Sequence, residues 1–161
     1  MARSYTKVDK LRGEVRYELQ QLERLAALAT GLSNLPAGER QPWDAAAAAK
    51  FVADLYAGFE NLCKRRLAYF GKTTPNGPDS HSQILEEFLA TPELGVRLSP
   101  EMASRRKKYL RFRHRFIHSY GFEIPWEIVE EPLDMIPETV AEIKAIWEDW
   151  LSTLNCQDHA T

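Results

Sequence analysis

The sequence has little of what marks secreted, membrane-spanning or metal-organised proteins. Its two cysteines, Cys63 and Cys156, lie far apart with no CxxC or Cys/His cluster around them. Neither a disulfide framework nor a structural zinc site is therefore indicated, and Cys63 reads as a small apolar packing residue. No apolar run reaches the ~18 residues of a membrane span. The opening MARSYTKVDKLRGEVRYEL lacks the apolar stretch of a signal peptide, so a cytoplasmic location with no membrane partner is expected. No segment sustains the period-two alternation of a strand, and no internal repeat appears.

What is present suits one helical domain. Apolar residues make up 44% and charged residues 27% of 161, ordinary values for a soluble globular chain long enough to bury a core, and a single domain over 1–161 is expected. Ser4 is a candidate cap for a helix to about residue 30, with Val8, Leu11, Val15, Leu19, Leu22, Leu25 and Leu28 at three- and four-residue spacing and Gly31 at its end. After the Pro/Gly loop 32–43, an alanine run opens a second helix over 44–70, stopping at Gly71. Its stripe is Phe51, Val52, Leu55, Phe59, Leu62 and Leu67. Tyr56 and Glu60, one turn apart, read either as a site pair or as a core-edge tyrosine with a solvated glutamate.

A short helix capped by Asp79 or Ser80 should run to about residue 90, and Ser99-Pro100-Glu101 should start a helix over 100–120 that ends at Gly121. Thr91-Pro92-Glu93 has the same cap-proline-acid pattern. Pro125, Pro132 and Pro137 should keep the next stretch irregular, with at most a turn at 126–129, before a last helix over 136–154. The expected fold is all-α: an antiparallel bundle of four long helices plus a short one.

Charge is unevenly spread. The net value is -2, yet 1–101 holds 13 acids and 13 bases, 105–115 adds seven cations, and 123–161 holds ten acids against Lys144 alone. The basic block opens the stretch RRKKYLRFRHRFIHSYGFEIPW, residues 105–126, with Tyr109, Phe112 and Phe116 interleaved. It ends in a fixed cation, two imidazoles and a phenol: Arg113, His114, His118 and Tyr120. On an ideal helix Arg113 and Tyr120 share one face and His114 and His118 another, while Arg113 and His118 are about 140° apart. Either the helix loosens near its end or a second subunit completes a site that uses both.

Four readings fit these residues. His114 and His118 at i and i+4 could bind zinc, but no third ligand is evident. The helix could bind nucleic acid, with Arg105, Arg106, Lys107, Lys108, Arg111 and Arg115 on phosphates and aromatics on bases. It could be structural, its cations solvated or neutralised by the acidic C-terminal segment. Or it could cleave RNA without metal or other cofactor, a reaction in which the 2′-hydroxyl is the nucleophile and the protein supplies proton transfer and charge stabilisation. Histidine suits the first task and arginine the second.

Arg113-His114 through His118 matches the R-x4-6-H pattern of the HEPN family, and His118-Ser119-Tyr120 resembles the H-x-Y extension of its HepT-like toxin branch. RHRFIHSYGFEIPWE is similar to that branch's motif region as a whole. The likeness continues upstream in Asp54-Leu55-Tyr56-Ala57-Gly58-Phe59-Glu60 and in Pro75-Asn76-Gly77-Pro78, followed by His81 and Ile84-Leu85. The resemblance implies a homodimeric helical bundle whose paired motif helices flank one cleft. It implies an RNase toxin of a type VII-like pair, acting on RNA (tRNA among the candidates), with His118 as general acid or base, His114 beside it and Arg113 steadying the transition state. Arg111 also fits the spacing, as R-x6-H, but Arg113 is preferred because polar His114 follows it. It further implies a cognate minimal nucleotidyltransferase antitoxin that attaches AMP to Tyr120. The alternative is a non-catalytic HEPN module binding RNA, a nucleotide or a partner protein through the same face.

Overall fold

The computed structural model describes residues 6–74, 77, 80–91, 94, 96–116 and 118–157, without the side chains of 80–82 and 155–157. Ser4, Asp79, most of the Pro75–Pro78 motif, and the side chains of His81 and Cys156 thus lie outside it.

The first helix, α1 (Lys7–Ser33), starts at Thr6. The Thr6 hydroxyl accepts the Asp9 amide at 3.1 Å and the Asp9 carboxylate accepts the Thr6 amide at 3.1 Å, a reciprocal capping box. α1 runs through Gly31 to a cap at Asn34. Gly31 falls in the last turn of α1, where a glycine costs at most about 1 kcal/mol, and Ala29 and Leu32 on either side of it pack against the core. Because Ala29 takes the inward position, Leu28 is exposed, contrary to the expected stripe.

The second helix, α2 (Asp44–Tyr69), closes as expected at Gly71. There φ is +69°, and the Lys72 and Gly71 amides donate to the Leu67 and Ala68 carbonyls, the Schellman pattern that favours glycine. α3 (Ser80–Ala90) buries Ile84, Leu85 and Phe88. The Thr91 hydroxyl turns back onto the Glu87 carbonyl at 2.7 Å, so it serves the end of α3.

The basic helix, α4 (Pro100–Phe116), is capped by Ser99, whose hydroxyl accepts the Met102 amide at 3.0 Å. Its end corrects the sequence reading. The helix stops at Phe116, His118 is in a turn, Ser119 in a bend, and Gly121–Glu123 forms a single 3-10 turn.

A second correction follows at α5 (Trp126–Asp134), where the three prolines had argued for irregular chain. Pro125 occupies the cap and Pro132 lies inside the helix. Complete burial of Val129 and Leu133, with Pro132 itself buried, offsets the hydrogen bond that Pro132 cannot donate. After Met135 the chain enters α6 (Ile136–Gln157), with Pro137 in its first turn.

The fold is all-α, with α1 packed antiparallel to both α2 and α6, and α4 likewise antiparallel to both. Glu14 and Glu18 of α1 meet Arg65 of α2, while Lys144 of α6 meets Glu23 of α1. Arg113 of α4 meets Glu60 of α2, and Arg105 of α4 meets Glu142 of α6. At the centre Trp147 is fully buried, stacked on Phe88 at 5.4 Å and edge-on to Phe59 at 5.8 Å. Cys63 is buried and free, and burial pushes its thiol well above the ordinary range. Among the described residues no helix is long and apolar enough to cross a membrane.

Candidate active site

Seven cations at close spacing on α4 repel one another unless partners or water take them up, and the fold divides them between the two. Arg105 is buried, its guanidinium held by Glu142 and by Glu138 at 3.3 Å. Glu142 also accepts the Ser99 amide and hydroxyl, so one α6 carboxylate ties down both the cap and the first cation of α4. Lys108 pairs with Glu131 of α5. The acidic C-terminal segment thus neutralises part of the basic block, and Arg105, expected on the RNA-facing surface, points into the protein. Arg106 is half-buried, whereas Lys107, Arg111, His114 and Arg115 are exposed.

Arg113 lies between these extremes. Its side chain is 22% exposed and donates from Nη1 to Glu60 Oε1 at 3.3 Å, with Glu60 itself 4% exposed. The guanidinium also stands 5.1 Å from the centre of the Tyr56 ring. The Tyr56 phenol is pushed up to about 12, chiefly by burial and then by the Glu60 carboxylate, with Arg113 and Arg106 opposing. The reading of Glu60 as solvated is therefore corrected. Glu60 lies between Tyr56 and Leu67 at the edge of the apolar stripe, and a carboxylate buried there calls for a cation to face it.

Below Arg113 a cavity of about 240 Å³ opens between α2, α4 and the turn after α4. Ala46, Ala49 and Ala53 form one wall and Tyr109, Phe112 and Phe116 another, with Ser119 and Gly121 at the rim. The alanine run, read from sequence as a helix former, also keeps this space open. Gly121 is the close approach that fixes the turn: a Cβ there would stand 2.7 Å from that of Ala46. Tyr109 anchors α4 from behind, its hydroxyl 3.3 Å from Thr139 Oγ1.

Beyond the end of α4, His118 is exposed and Ser119 turns back, its amide donating to the Phe116 carbonyl at 3.1 Å. Tyr120 is 69% and Phe122 78% exposed, and their rings stack at 5.4 Å with planes 11° apart. The helical-wheel relations between Arg113 and Tyr120, and between His114 and His118, do not hold, because the second member of each pair lies past the helix. The histidine pair is thus not an i, i+4 pair on one helix, and no group of three or more His, Cys, Asp or Glu among the described residues could hold a metal ion. The arrangement offers a held guanidinium, exposed imidazoles and an exposed phenol at one helix end.

Comparison with known families matches residues 47–154, from within the alanine run to the last turn of α6, to the HepT-like protein family. The chain belongs to that family. HepT-like proteins are HEPN-type toxins, generally RNA-cleaving, and the all-α fold agrees with membership. No curated protein and no solved structure matches the chain. In this HepT-like protein the matched span leaves out α1, the turn before α2 and the first three residues of α2.

Proposed function

We propose that this HepT-like protein is a metal-independent endoribonuclease, the toxin of a two-gene toxin–antitoxin pair, acting as a homodimer. The observation that carries the reading is the division of labour at the end of α4: Arg113 is held by a buried carboxylate, while His114, His118 and Tyr120 face solvent. In the proposed reaction the RNA 2′-oxygen attacks the adjacent phosphorus and the bond to the 5′-oxygen breaks. The products are a 2′,3′-cyclic phosphate and a 5′-hydroxyl. One imidazole takes the 2′ proton and another delivers a proton to the leaving oxygen. His118 serves in one of these roles, with His114 or a second copy's histidine in the other.

Arg113 has five donor N–H groups, so the contact to Glu60 leaves others to bind the non-bridging oxygens as their charge grows. Arg111, Arg115 and Lys107, exposed along the same helix, are the proposed phosphate contacts, with Arg106 and Lys108 at the margin. Tyr120 is the proposed site of silencing by a nucleotidyltransferase antitoxin. Its exposure supports access for modification, and an attached phosphodiester would compete with RNA for the adjacent cations.

A second reading, a non-catalytic RNA-binding module, draws on the same Arg113–Glu60 pair, which already neutralises the motif arginine within one chain. A single experiment separates the two: RNA cleavage in EDTA by protein made with and without a candidate nucleotidyltransferase. Cyclic-phosphate ends are expected from unmodified wild type and not from His118→Ala. After co-expression, an AMP mass and loss of cleavage are expected for wild type, with no adduct on Tyr120→Phe. Salt-dependent RNA binding with no cleavage by AMP-free, folded protein would favour the binding module.

A further inference from the structure

We propose that the groove between the N-terminal end of α1 and the C-terminal end of α2 binds the phosphate backbone of RNA that extends beyond the cleavage site; this rests on the RNA reading above. The groove is about 440 Å³ and is lined by Lys7, Lys10, Lys64, Arg65 and Lys72, with Glu14 the one carboxylate among its described lining residues. In a chain of net charge -2, five cations around one carboxylate make a local positive field, and a concave surface focuses it. Glu14 is shared, accepting from Arg65 at 3.0 Å and standing 3.9 Å from Lys10, while Arg65 also reaches Glu18 at 3.8 Å. That leaves Lys7 and Lys64 to set the field at the groove's edges.

The groove and the proposed active site flank α2, one on its α1 side and the other on its α4 side, and the exposed face of α2 runs between them. Tyr56 and Glu60, which contact Arg113, are followed at four-residue steps by Lys64 and Ala68 in an oblique row across the exposed face of α2, and Lys72 comes after the Gly71 turn that ends the helix. Each step advances about 6 Å and turns about 40° on an ideal helix. That step is comparable to the phosphate spacing of an extended strand, so a backbone leaving Arg113 meets Lys64 next. Apolar floor residues Leu11, Ala68 and Tyr69 give ribose and base edges a dry surface. The oblique row favours RNA over an acidic protein segment, which would have no reason to follow α2 toward Arg113.

Binding is measured in a His118→Ala background, so that RNA stays intact, with a labelled single-stranded RNA of about 20 nucleotides, longer than one ordinary single-strand site. Adding Lys7→Ala, Lys10→Ala and Lys64→Ala is expected to weaken binding about tenfold or more and to lower the slope of log K against log salt by about 2, at roughly 0.7 per contact. Glu14→Gln, which removes the groove's carboxylate, is expected to tighten binding. In the His118-intact protein the same lysine changes should leave cleavage of a dinucleotide, too short to reach the groove, unaltered. If the parent binds the long RNA and the triple-lysine protein matches it in affinity and salt slope, the groove is not an RNA site. Equal losses on the long RNA and the dinucleotide overturn it too. If the parent binds no RNA at all, the RNA reading itself fails.

Discussion

Arg113 serves two purposes that a single substitution removes together. It is the proposed stabiliser of the scissile phosphate, and it is also a partner of Glu60, a carboxylate with 4% of its side chain exposed. Removing one side of such a pair weakens the compensation of a buried carboxylate, at a cost of up to about 3 kcal/mol. Arg113→Ala should therefore lower stability by that order as well as abolish cleavage, and activity alone would not separate the effects. In a Glu60→Gln background there is no buried carboxylate to compensate, so the same change should cost less than half as much while cleavage stays absent. Urea unfolding of the four proteins measures this; an equal cost in both backgrounds would show that Glu60 does not depend on Arg113.

At the scale of elements, the turn after α4 matters most, and its position depends on the contact of Gly121 with Ala46. Gly121→Ala should push residues 118–123 away from α2, with a stability loss of about 1–3 kcal/mol typical of overpacking and a larger relative loss of cleavage. Adding Ala46→Gly restores the space and should recover cleavage without recovering stability, since glycine near a helix start carries its own cost. Thermal melts and cleavage rates on the pair test this, and a double variant as inactive as Gly121→Ala would refute it. This turn also shows where sequence legibility ends. The long helices were readable because Val15, Leu19, Leu22, Val140 and Ile143 recur at helical spacing and end up buried. The end of α4 was not, because His-Ser-Tyr contains no helix breaker and the break coincides with a tertiary contact. α5 was hidden for the opposite reason: Pro132 is a strong local signal against helix, overridden by the burial of Val129 and Leu133.

For the molecule as a whole, the proposed dimer gives the sharpest test. If Arg113 and His118 act from different copies, mixing inactive Arg113→Gln and His118→Ala proteins under conditions of subunit exchange should restore cleavage, because some mixed dimers hold one intact site. No recovery despite exchange, followed by sedimentation and mass, would place both groups within one chain. The candidate site was legible as a list of residues but not as an electrostatic surface. Arg105 reads as a surface cation until Glu138 and Glu142 arrive from α6, and Lys7 and Lys64 come to line one groove when α1 and α2 align. Such pairings join residues distant in sequence and leave no local trace. One consequence concerns motion. α4 is fastened at its start to α6 through Ser99 and Arg105, along its length through Lys108 and Tyr109, and near its end to α2 through Arg113. A helix held at several points along its length, followed by a turn set against α2 at Gly121, leaves adaptation to a ligand to the exposed side chains of His118, Tyr120 and Phe122. Exposed side chains change rotamer in picoseconds to nanoseconds rather than in the slower regime of helix shifts, which confines the entropy lost on binding to a few side chains.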